Sequence, residues 1–142
     1  MRLHIKFVNK HNYREMLILK AREFLDYKNW AVAGDVLNPL KYAYKILESL
    51  KSDGFNAVGI NLSSDTKGVY NSLKDIPYKV EVLDLCINPY KGIKVVQDAH
   101  ELRIDKILIQ PGAESPEILD FCLANGIHAI QGCALVELLN EH

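Results

Sequence analysis

The feature that most constrains this chain is an alternation of short, largely apolar runs with longer amphipathic stretches. The runs are Trp30 to Ala33, Phe55 to Leu62, Val69-Tyr70, Val80 to Cys86, Lys106 to Gln110 and Ile127 to Ile130. A short run without polar alternation suits a strand buried on both faces, and such strands belong to parallel sheets covered by helices. Between the runs, apolar residues recur at helical spacing, as Ile46, Leu47 and Leu50 do within Tyr44 to Leu50. Further helices are expected over Tyr90 to Leu102, from Pro116 to about Ala124, and over Ala134 to Asn140. Parallel neighbours require a crossover, and such crossovers are right-handed. The pattern therefore predicts an α/β fold, a doubly wound and mainly parallel sheet of about 5–6 strands in the order 3-2-1-4-5-6. Val69-Tyr70 would form one edge. Val32, Val58, Ile60, Val82, Leu85, Ile107, Ile109 and Ile130 would form the core of the sheet.

Punctuation supports these bounds. Asp53-Gly54 and Asn125-Gly126 end helices, because glycine accepts positive φ. Ser115-Pro116 supplies an N-cap followed by a first-turn proline. Asn38-Pro39 signals a turn and a helix start. Ser72 to Ile76 reads as one helical turn closed by Pro77. Residues 1–29 read as a prelude, a strand over Arg2 to Val8 and an amphipathic helix over Tyr13 to Tyr27, packed on a domain of residues 30–142. A chain of 142 residues suits one core.

Several function classes are disfavoured. The N-terminus, Met1 to Val8, alternates polar and apolar residues and lacks the apolar stretch of a signal peptide. No apolar run approaches the ~18 residues of a membrane span. A cytoplasmic protein without membrane contact is expected. The net charge is −1, from 17 basic and 18 acidic residues, so the basic excess of a nucleic-acid binder is missing. The three cysteines, Cys86, Cys122 and Cys133, are odd in number and widely spaced, which argues against a disulfide framework. Cys86 and Cys122 read as buried reduced thiols.

In an open α/β sheet, ligands bind beyond the carboxyl ends of the strands where the strand order reverses. The loops expected there are Gly34 to Lys41, Asn61 to Ser64, Cys86 to Tyr90, Gln110 to Glu114 and Gln131 to Ala134. Gly34 permits a sharp turn, and the helix beyond it would present free N–H groups to a phosphate. The Gly-x-Gly-x-x-Gly fingerprint is absent, and Asn61 stands where an acidic residue would hold a ribose, so ordinary NAD binding is disfavoured. There is no Walker A motif.

From Trp30 to about Leu139 the residues follow a known pattern. The pieces are Trp30-Ala31-Val32-Ala33-Gly34, Asn38-Pro39 and Gly54-Phe55-Asn56-Ala57-Val58-Gly59-Ile60-Asn61, then Val69-Tyr70-Asn71-Ser72-Leu73, Ile76-Pro77 and Val80-Glu81-Val82-Leu83-Asp84-Leu85. Asn88-Pro89, Ile109-Gln110-Pro111-Gly112, Asn125-Gly126 and Cys133 complete the series. In this order and spacing the chain resembles the stand-alone CoA-binding domain proteins, relatives of the CoA-binding domain of the succinyl-CoA synthetase α subunit. The resemblance implies a Rossmann-like domain that binds coenzyme A or an acyl-CoA. The positions matching the family's site are Gly34, Asp35, Val36, Lys41, Asn61, Cys86, Ile87, Gln110 and Cys133. Lys41 would meet a phosphate. The chain departs from the family at Asp35 and Val36, where small or hydroxyl residues are usual. It departs again at Gln131-Gly132-Cys133-Ala134, where Asp-Arg-Cys-Pro is common.

Each of these residues also has a plainer reading. Asp35 is either a ligand-selecting carboxylate or a helix cap, and Lys41 either a phosphate ligand or a solvated helix lysine. Cys133 is either a reactive thiol, able to form a mixed disulfide with oxidised CoA, or a small packing residue. Asp84, inside an apolar strand, would cap a neighbouring backbone group. His4, His11, His100, His128 and His142 are scattered. With no nucleophile elbow, paired carboxylates or metal cluster in view, the reading is a small protein that binds a nucleotide-type ligand, more a binding protein than an enzyme. The alternatives are an enzyme component handling nucleotides or acyl-CoA with a partner chain, and a relative that has lost CoA and acts through protein contacts. A homo-oligomer is compatible with either.

Overall fold

Trp30, Ala31 and Val32 have no exposed surface, and the run that contains them forms the middle of the sheet. In the computed structural model, which describes residues 21–63, 66 and 68–141, the strands are β1 (Asn29–Ala33), β2 (Asn56–Ile60), β3 (Val69–Tyr70), β4 (Val82–Leu85), β5 (Lys106–Ile109) and β6 (His128–Gln131). The helices are α1 (Tyr42–Ser52), α2 (Pro89–Glu101), α3 (Pro116–Ala124) and α4 (Ala134–Glu141). Strand order is β3-β2-β1-β4-β5-β6, and every pairing is parallel. The expected doubly wound α/β sheet is therefore the fold of the protein. Reversal falls between β1 and β4, where Trp30 pairs with Val82 and Ala33 with Leu85.

Side chains alternate between the two faces of each strand, and each face has its own core. On one, Leu83, Leu85, Ile107 and Ile109 pack with Val95, Val96 and Ala99 of α2 and with Ile118 and Cys122 of α3. On the other, Trp30, Val32, Val82 and Leu108 pack with Ile46, Leu47 and Leu50 of α1 and with Ala134 and Leu138 of α4. The Trp30 indole donates to the Tyr27 carbonyl at 2.7 Å, which satisfies its one polar atom. The residues expected in the sheet core are buried except Val58, which is only half-buried. Beyond β2 lies the two-residue β3, which pairs only with Gly59 and Ile60, so no strand covers Val58 on that side.

The proline and serine signals place α2 and α3 well. Asn88 and Ser115 accept from the N–H groups of Lys91 and Ile118, and a proline opens each helix. After Asn38-Pro39, however, the chain stays irregular as far as Lys41. Asn38 holds a turn there: its side chain accepts from Leu40 N–H and its carbonyl from Lys41 N–H, which competes with helix formation. The strand expected over Arg2 to Val8 and most of the helix expected from Tyr13 lie outside the described residues. The end of that prelude is helical at residues 21–23 and continues as a 3-10 turn (Phe24–Asp26). Ala21, Phe24 and Leu25 are buried on the α1 and α4 face.

Candidate functional site

Each central strand is continued by one residue whose N–H bonds to the neighbouring strand's end. Gly34 donates to the Ile60 carbonyl at 3.0 Å, Cys86 to Ala33 at 2.8 Å, Gln110 to Leu85 at 3.0 Å and Gly132 to Ile109 at 2.9 Å. Asn61 donates to Tyr70 at 2.9 Å in the same way. These amides form a floor, and their hydrogen bonds are already made. A ligand lying on this floor must be met by loop side chains and by helix starts.

A cleft of about 640 Å³ opens above the floor, within the range of ~300–1,000 Å³ usual for small-molecule sites. It crosses the reversal between β1 and β4. The β1 loop contributes Gly34, Asp35, Lys41, Tyr42 and Ala43, and the β2 loop Asn61, Leu62 and Ser63. From the β4 side come Cys86, Ile87, Asn88 and Lys91, and from the β5 side Gln110 to Ala113. Seven of the positions expected from sequence thus meet in one cleft: Gly34, Asp35, Lys41, Asn61, Cys86, Ile87 and Gln110.

Val36 and Cys133 are not in its lining. The Val36 side chain is buried, and its Cγ2 would lie 2.6 Å from a Cβ placed on Gly59. Its N–H donates to the Gly34 carbonyl at 2.9 Å, so neither the side chain nor the N–H of Val36 is free for a ligand. Cys133 is half-buried at the start of α4, where its carbonyl accepts from Val136 and Glu137 N–H.

The glycine at 34 is required by close approach. A Cβ there would lie 3.0 Å from the Cβ of Ala43 and 3.1 Å from that of Cys86, a spacing tight enough to push α1 and β4 apart. Asp35 is exposed and caps no helix. The N-cap of α1 is Lys41, in extended conformation, and no side chain caps this helix. The positive end of α1 therefore opens into the cleft beside the Lys41 ammonium, an arrangement suited to an anion. Asn61 Oδ1 accepts from Ser63 N–H at 2.9 Å, which leaves its amide N–H₂ as donor. Gln110 Oε1 is buried without a partner among the described residues.

Below the floor, Asp84 is wholly buried between Val32 and Leu108 of the adjacent strands. Among the described residues it caps no backbone group, contrary to expectation, because the ladder takes up the amides beside it. Its Oδ1 accepts from Cys86 Sγ at 3.0 Å, and Oδ2 has no partner among the described residues. Burial pushes the Asp84 carboxyl up to about 7, a rise that the Cys86 hydrogen bond reduces. Burial, and then the Asp84 carboxyl, push the Cys86 thiol well up. Cys86 is thus a neutral free thiol in the cleft wall, half-buried where a buried reduced thiol was expected.

Sequence reasoning missed Lys91. The Cys86 to Tyr90 loop was identified but ended one residue short, because Lys91 falls inside the helical pattern of α2. Only the position of that first turn at the reversal brings its side chain to the cleft.

No group of three or more metal-ligating side chains occurs among the described residues, and no helix among them is long and apolar enough to cross a membrane. The profile of the CoA binding domain family matches residues 28–138. A conserved hypothetical protein from Pyrococcus furiosus is 35% identical, with a TM-score of 0.72, over 78% of this chain and 99% of that one. A hypothetical protein from Pyrococcus horikoshii OT3 shares the fold at 23% identity and a TM-score of 0.76, over 96% of this chain and 94% of that one. The acetyl-coenzyme A synthetase 1 of Ca. Korarchaeum cryptofilum, in complex with phosphate and ADP, shares it at 22% identity and a TM-score of 0.57, over 72% of this chain and 25% of that one. No protein of curated function matches the chain. The family match spans both walls of the cleft and every strand that floors it, and on that ground the chain belongs to the CoA binding domain family.

Proposed function

We propose that this protein binds coenzyme A, or an acyl thioester of it, in the cleft between β1 and β4, and that it works as a binding protein. The observation that carries this reading is the uncapped start of α1, which enters the cleft with Lys41 beside it at the point where strand order reverses. A diphosphate is the group such a place takes, since helix dipole and ammonium both favour negative charge there. Family membership supports CoA as the diphosphate-bearing molecule. The rest of the cleft agrees. Leu62, Ile87 and Pro111 give apolar wall, and Asn61 offers donors. Gln110 Oε1 awaits a donor such as a pantetheine amide N–H. Burial favours the neutral thiol of Cys86, and among the described residues the cleft lining holds one carboxylate, Asp35, rather than a pair.

Calorimetric titration of the protein with CoA, acetyl-CoA and NAD tests the proposal. One site for CoA and acetyl-CoA, with NAD at least tenfold weaker, is the expected result. No detectable heat with CoA or acetyl-CoA at millimolar ligand would sink it.

A further inference from the structure

Among the described residues, nearly every lysine is already engaged. Lys51, Lys74, Lys94 and Lys106 are held by carboxylates. Lys79 donates to the carbonyls of Leu102 and Arg103, and Lys28 and Lys45 lie over the rings of Phe55 and Tyr42. The two without a partner are Lys41 and Lys91, and these are the two that line the cleft. That the two unpaired ammonium groups among the described residues both line one cleft points to an anionic ligand there.

The two lysines arrive from opposite layers. Lys41 leads into α1, which packs on the Trp30 face of the sheet, and Lys91 lies in the first turn of α2, which packs on the Leu85 face. Their strands, β1 and β4, are adjacent, about 4.8 Å apart. The Asn88 side chain occupies the Lys91 N–H at 3.1 Å, so the ammonium is what Lys91 offers. Asp35 shares the cleft and offsets one positive charge. Two lysines leave an excess, which suits a group carrying more than one negative charge.

We infer that Lys41 and Lys91 form a two-sided clamp that closes on a diphosphate from both faces of the sheet, and that Lys91 is a binding residue for diphosphate-bearing ligands. The clamp is read from the lysines themselves, and only the identity of the ligand as CoA rests on the proposed function. A phosphate on the ribose is a poorer fit for Lys91. In this fold the ribose lies toward the end of β2, two strand spacings from β4, or about 10 Å.

The test titrates ADP, 3′-dephospho-CoA and CoA into the wild type, Lys91→Gln, Lys91→Arg and Lys41→Gln at two salt concentrations. Lys91 is exposed, so thermal unfolding of the unliganded variants should match the wild type. Lys91→Gln is expected to weaken all three ligands by about tenfold and to flatten their salt dependence, whereas Lys91→Arg retains most of the affinity. Unchanged binding in Lys91→Gln overturns the clamp. So does a loss seen with CoA but not with 3′-dephospho-CoA, which would move Lys91 to the ribose phosphate. If ADP binds with Lys91 dependence and CoA does not bind, the clamp stands and the CoA reading falls. If CoA binds without regard to Lys91, the reverse holds. If no ligand binds the wild type, both fall.

Discussion

Asp84 shows what a single side chain can do to the whole protein. Among the described residues its carboxyl has one hydrogen bond, from a thiol, and it has no exposed surface. The folded state therefore holds its proton up to about pH 7, whereas the unfolded chain releases it near 3.8. A folded pKa raised in this way contributes stability that is complete below the unfolded value. That stability is lost as pH climbs through the folded value. A rise from 3.8 to about 7 corresponds to a loss on the order of 4 kcal/mol across that window, at ~1.4 kcal/mol per tenfold change in proton activity. Asp84→Asn carries no such charge, so its stability should fall less between pH 4.5 and pH 8 than that of the wild type. Urea unfolding of both proteins across that range measures the difference, and parallel curves would show that Asp84 is ionised in the fold. From sequence, an acid within Val80 to Cys86 was visible. That its neighbours would offer it only a thiol was not, because the partner depends on which layer the strand faces.

At the scale of elements, the contact of the β1 loop with β2 joins Val36 to Gly59. A Cβ on Gly59 would meet Val36 Cγ2 at 2.6 Å and Leu47 Cδ2 at 3.2 Å, so Gly59→Ala overfills the space between β2 and α1. Overpacking of this kind costs about 1–3 kcal/mol. Val36→Ala alone leaves a cavity, but in the double variant the new methyl enters the space it vacates. The double variant should therefore be more stable than the sum of the single losses allows, by about 1 kcal/mol in a double-mutant cycle. Additive losses would mean that the two side chains do not share that space. This pairing keeps the Val36 side chain out of the cleft lining. Its place in the chain, two residues after Gly34, put it in the site loop. Its direction was decided by the notch at Gly59 in the next strand. Bounds set by local chemistry fared better: Ser115-Pro116 and Asn125-Gly126 enclose α3 (Pro116–Ala124) as read, because a capping hydroxyl and a helix-ending Asn-Gly act within a few residues.

For the whole molecule, the balance of charge in the cleft sets how the protein meets an anionic ligand. Removing the carboxylate with Asp35→Ser should tighten CoA binding, and removing the cation with Lys41→Ala should weaken it, each by about 1 kcal/mol at low salt. Both effects should shrink at 1 M salt, where the Debye length falls to ~3 Å from ~10 Å at 0.1 M. Calorimetry on the three proteins at both salt concentrations reads this directly, and binding that ignores both substitutions would place the phosphates elsewhere in the cleft. The sequence by itself determined the strand order, the parallel pairing and the loops that meet at the strand ends, while the single lining positions came from the family resemblance. Apolar runs must be buried on both faces, crossovers have one hand, and the residue after each strand must reach the carboxyl edge. The tertiary structure decided what depends on separate elements meeting. It turned Val36 inward onto Gly59, left Cys133 outside the cleft lining, gave Asp84 a thiol as its one hydrogen-bond partner among the described residues and brought Lys91 into the cleft lining with Lys41. Periodicity tells which face of its own helix or strand a side chain occupies. Which neighbour waits on that face follows only from how the layers pack.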